Sequence, residues 1–148
     1  MTLAKGPRPW PIRLFAALFL ASAFARLVRD LGEIDLVMID LANWLPPHLV
    51  TPDSAIIWSF AQLTIACIPV ALIWYWASRL ARILVGVMVG LSLATIPDLL
   101  FGWRVYGVLD PLAPVLIAAS LLGASLLFIP PAQRWFSLRG RREADAFE

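Results

Sequence analysis

The chain contains one cysteine, one histidine and little charge. A lone Cys67 rules out an intrachain disulfide, and a lone His48 with no cysteine beside it cannot supply a usual zinc set. There is no H-E-x-x-H, no Walker A loop, no C-x-x-C and no dinucleotide fingerprint, so the common metal, nucleotide and redox chemistries lack their markers. Gly90-Leu91-Ser92-Leu93-Ala94 falls one letter short of a nucleophile elbow and sits in an apolar run without a histidine base. The reading therefore carries no catalytic residue, no metal and no cofactor. Charged residues form 15% of the chain and hydrophobic ones 61%, against roughly 25% and 45–50% in soluble domains. That imbalance points away from a water-soluble core and toward a small polytopic membrane protein.

What is present is a set of long uncharged runs. Ser54 to Ser78 and Pro111 to Gln133 contain no charge at all, and a helix needs about 20 mainly apolar residues to cross a hydrocarbon layer of about 30 Å. Ile83 to Pro97 is shorter, but continues past Asp98 to Trp103 and reaches roughly 31 Å when helical. The first segment, Leu14 to Ala25, follows Lys5, Arg8 and Arg13 and ends in the A-x-A triplets Ala21-Ser22-Ala23 and Ala23-Phe24-Ala25, which is also the pattern of a signal peptide. It is read as an uncleaved first span, because Arg13 and Arg26 can snorkel outward along their aliphatic stems. The expectation is one all-α domain, residues 1–148: a bundle of four antiparallel transmembrane helices at about 10–30, 55–77, 83–103 and 111–133, with a basic tail over 134–148.

Basic residues then orient the spans. The N-terminus, the turn at Arg79 and Arg82, and the tail from Arg134 onward carry nine of the twelve, leaving Arg26, Arg29 and Arg104 on the other side. The positive-inside rule puts both termini in the cytoplasm, as in a bacterial inner membrane. Trp10, Trp74, Tyr75, Trp76 and Trp135 fall at inner boundaries; Trp44, Trp58, Trp103 and Tyr106 fall near outer ones. Pro69 should kink the second span, and Pro130 with Pro131 should end the fourth. The first outer loop holds an apolar stretch, Glu33 to Leu45, with Val37, Leu41 and Leu45 on one face, suited to a short interfacial helix.

Ionisable groups at membrane depth are the functional candidates: Arg26, Asp30, Asp98, Arg104 and Asp110. Arg26 with Asp30, and Arg29 with Glu33, stand at i,i+4 spacing and are expected to pair. Gly86, Gly90 and Ala94 form a small-residue stripe that lets another helix approach, expected to be the fourth helix through Gly123. The tail Arg139-Gly140-Arg141-Arg142 reads as an anionic-lipid contact, not a nucleic-acid patch. Partners are therefore membrane lipids, the chain itself or a larger membrane complex. The leading function is an accessory or interaction protein of the membrane. A homo-oligomeric transporter or channel gated by Asp98, Arg104 and Asp110 is the alternative, and an intramembrane lipid- or quinone-modifying enzyme the third.

Overall fold

Pro7 and Pro9 lie before the first helix and Pro11 inside its first turn. In a computed structural model, which describes residues 7–94, 96–97, 100, 104 and 112–137, α1 runs Trp10–Gly32 with a proline in its first turn, where the missing N–H costs nothing. The backbone turns at Glu33 (φ −128°, ψ 48°), whose carbonyl accepts from the amides of Leu36 and Val37 and so starts α2, Ile34–Ala42. A short 3₁₀ turn, Pro47–Leu49, carries the exposed His48. α3, Pro52–Trp76, opens with a capping box between Thr51 and Ser54, which satisfies amide donors that the helix itself leaves orphaned. It then runs unbroken through the buried Pro69.

Ala77 ends α3 in the left-handed region (φ 47°), where its amide reaches the Ile73 carbonyl and that of Ser78 the Leu72 carbonyl. Glycine usually occupies such a position. Here the methyl is buried in the core, so packing offsets the backbone strain. The reversal delivers α4, Arg79–Ala94; residues 96–97, 100 and 104 are helical too, and the next helix with described bounds is α5, Leu112–Leu126. A turn at Leu127–Ile129 leads to α6, Pro130–Ser137, bent 56° from α5. No strand occurs among the described residues.

α1 is the central element. It packs on α5 and α3, and less extensively on α2 and α6; α3 meets α4, and α4 meets α5. The core gathers toward one end, where Ile12, Phe15, Ile73, Val85, Leu127 and Phe136 are fully buried. Large apolar side chains such as Ile57, Leu80, Ile83 and Leu91 stay strongly exposed, an arrangement that water does not favour. α1 and α3 are each long and apolar enough to cross a membrane, and α5 with α6 makes a third if the bent pair is one span.

Two expectations change here. The span expected over 111–133 is a 15-residue helix that stops before the prolines, and Pro130 and Pro131 begin α6 instead of ending a span, because the first helical positions need no N–H partner. Trp135 is consequently buried with Phe136 and does not simply mark a boundary. The span expected over 83–103 starts earlier, at Arg79, and its outer part lies largely outside the described residues.

Candidate lipid-binding cleft

Residues of α1 recur along one face at Phe19, Ser22, Arg26 and Arg29 or Asp30, a three-to-four spacing that faces them the same way, and Glu33 at the C-cap follows them. They form one wall of a cleft of about 780 Å³, closed by α2, α3, α4 and α5. On α1 it extends from Phe19 to Glu33, about 21 Å at 1.5 Å per residue. Its size falls within the roughly 300–1,000 Å³ of small-molecule sites.

Polarity is graded along that length. The deep part is walled by Phe19, Leu63, Ala66, Met88, Val89 and Ile117. Four serines interrupt it, yet each hydroxyl donates to a carbonyl of its own helix: Ser22 to Leu18 (2.7 Å), Ser59 to Ala55 (3.0 Å), Ser92 to Met88 (3.1 Å) and Ser120 to Leu116 (2.8 Å). With their donors engaged, these side chains act as small fillers. Toward the rim stand Arg26, Arg29, Asp30, Glu33 and Asp40, with Trp58 beside them.

The charges pair differently from the i,i+4 expectation. Arg29 Nη2 lies 3.4 Å from the Oδ1 of the adjacent, buried Asp30. Neither Arg26 with Asp30 nor Arg29 with Glu33 forms an ion pair among the described residues. Arg26 is half-buried in the cleft wall and acts on Asp30 electrostatically across a longer gap.

Of the sequence candidates, Arg26 and Asp30 are brought together in the cleft. Arg104 is exposed and not among the cleft-lining residues. Asp98 and Asp110 lie outside the described residues, so the three-residue gate has no described geometry. The stripe of Gly86, Gly90 and Ala94 meets no neighbouring helix among the described residues. Gly86 and Gly90 are exposed, and a Cβ built on either meets nothing within 4 Å; Ala94 is exposed too. α4 instead buries Ala81, Val85 and Val89, because β-branched and alanine side chains occupy the face turned to its neighbours. Gly123 is a packing glycine, but against α1: its Cβ position lies 3.7 Å from Leu18 Cβ and 3.8 Å from Phe15. Sequence reasoning missed Ser59, Gln62, Asp40 and Trp58 as cleft residues. The periodic polar face of α1 was the readable signal; the α3 contribution had none, since which face of an apolar helix turns inward depends on its neighbours.

At the opposite end, the Arg8 guanidinium lies 5.4 Å over Trp74 and donates to its carbonyl (3.3 Å). Arg82 lies over both Phe128 (5.1 Å) and Phe136 (5.5 Å). Among the described residues no three of His, Cys, Asp and Glu converge as a metal site requires. No protein-family model, curated protein or solved structure matches the chain.

Proposed function

We propose that this chain is a small integral membrane protein that serves as an accessory or interaction protein by holding a membrane amphiphile in the cleft. The observation that carries this reading is the graded wall, apolar from Phe19 to Ile117 and charged from Arg26 to Asp40, which matches a hydrocarbon chain joined to a polar head. The serines that would be nucleophiles in an enzyme are bonded to their own helices, which favours recognition over reaction. In this reading α4 and its continuation complete a fourth span, and α2 lies in the outer interface with Leu36, Ile39 and Trp44 toward lipid, all three exposed. Arg8, Arg82 and Arg134 belong to the end held on the cytoplasmic side of a bacterial inner membrane. Purification in a mild detergent followed by native mass spectrometry tests the proposal: bound lipid on the intact chain is expected, and a chain that carries none when supplied with lipid overturns it.

A second reading has one observation in its favour. The open glycine face of α4 suits close approach of a helix from another copy, as a homo-oligomeric transporter requires. Gly90→Leu should leave the monomer folded and dissociate such an oligomer; an unchanged oligomeric state removes this reading.

A further inference from the structure

Resting on the amphiphile reading above, we infer that the cleft selects a zwitterionic head: a phosphate next to the hydrocarbon and an ammonium beyond it. Arg26 stands where the apolar trough meets the charged rim. It is half-buried, and has neither a hydrogen bond nor an ion pair among the described residues. A guanidinium there presents a planar fork of donors that fits phosphate oxygens, and its attraction to a bound anion is stronger where water is partly excluded. The carboxylate one turn away does not claim it, because Asp30 is held by Arg29 at 3.4 Å.

Beyond Arg26 the sign of the lining changes. Glu33 and Asp40 are both exposed on the cleft wall, and neither has an ion pair among the described residues. Glu33 lies about 10 Å farther along the helix axis than Arg26. With Arg29 and Asp30 holding each other, the charges left among the described lining residues are Arg26 against Glu33 and Asp40, so a purely anionic head meets net repulsion, whereas an added ammonium finds acceptors at the rim. Gln62 on α3 lines the same cleft, and its amide makes no hydrogen bond among the described residues. It is suited to an ester carbonyl at the head-to-chain junction. Along α1 the order is thus apolar, guanidinium, carboxylate, with the Gln62 amide in the same cleft, which suits a phosphoethanolamine lipid read from its chains outward.

The test uses the full-length protein in detergent and three short-chain amphiphiles of equal chain length: a phosphatidylethanolamine, a phosphatidylglycerol and a neutral diacylglycerol. Native mass spectrometry measures each occupancy. The ethanolamine lipid should bind roughly tenfold more tightly than either competitor, the scale of one hydrogen bond to a charged group. Arg26→Gln should abolish its advantage over the neutral lipid, and Arg26→Lys should restore part of it, with circular dichroism confirming helicity. Glu33→Gln with Asp40→Asn should shift preference to the glycerol lipid. Equal binding of all three, abolished by the cleft-filling Leu63→Trp, overturns the head-group inference while leaving the amphiphile reading standing; no binding of any overturns both. A preference that survives Arg26→Gln unchanged also overturns the inference.

Discussion

Where Arg8 lies over Trp74 and Arg82 over Phe136, side chains from the start, middle and end of the described chain share one core, whereas where Arg26 and Glu33 lie the helices stand around open space. The fully buried large side chains Phe15, Phe136, Ile12, Ile73, Leu127 and Val85 belong to the interlocked half. Near the open half the satellite core is small, with Val37 and Leu41 of α2 on Ala55 of α3. The contrast separates two duties. One end carries the packing that holds the helices in register, so the other can keep unsatisfied charge and volume without loss of the fold. In a bilayer this packing is van der Waals contact between close helices, and that makes the small spacing at Gly123 matter.

The contrast can be broken most severely in the closed half. Phe15→Ala opens a cavity at the α1–α5 contact and should cost about 3–5 kcal/mol; Gly123→Leu, forced against Leu18 and Phe15, should prevent folding altogether. Loss of cooperative thermal unfolding in detergent, followed by circular dichroism, is the readout. Gly123→Ala, whose methyl would sit in ordinary contact, should be tolerated. Next comes Arg82→Ala, which removes both ring contacts and should cost roughly 1–2 kcal/mol; Arg82→Lys should retain part of it, and equal loss in both variants would argue against the cation's role.

In the open half the same thermal measurement should hardly move. Leu63→Trp should fill the trough and change stability by less than about 1 kcal/mol while eliminating bound amphiphile in native mass spectra. A large drop in melting temperature with amphiphile retained would reverse the division of duties. The smallest effect is expected at Ala77→Gly. Relief of a left-handed backbone, about 1 kcal/mol, is opposed by loss of a buried methyl worth about 0.8 kcal/mol, so the midpoint should stay almost fixed.

Much of the helical layout was legible because charge is so sparse. The uncharged run from Ser54 to Ser78 marks α3 to within two residues, and the stretch Glu33 to Leu45 does hold a short helix, whose Val37 and Leu41 pack on Ala55 of α3. What composition could not reveal is which face of a uniformly apolar helix turns inward. Gly86 and Gly90 look like a packing stripe in sequence, yet α4 turns Val85 and Val89 to its neighbours. Pro130 and Pro131 are equally able to stop one helix or start another, and only the burial of Ala132, Trp135 and Phe136 shows which they do. At the cleft, Arg26 and Asp30 were visible as charges at apolar depth. That Arg29 rather than Arg26 holds Asp30 depends on rotamers, which spacing does not encode.

The pairing of α1 with α5 has a consequence for how the protein is made. α1 finds its most extensive partner in α5, which is synthesised after α2, α3 and α4, so the contact of Phe15 with Gly123 waits for all of the intervening sequence. At roughly 5–20 residues per second, that delay is on the order of ten seconds. Throughout it, the face of α1 bearing Phe15 has only α3 and surrounding lipid or the insertion machinery to cover it. A nascent chain arrested before Leu112 therefore presents an unfinished surface to quality-control proteases, and arrival of α5 closes the assembly between its two ends.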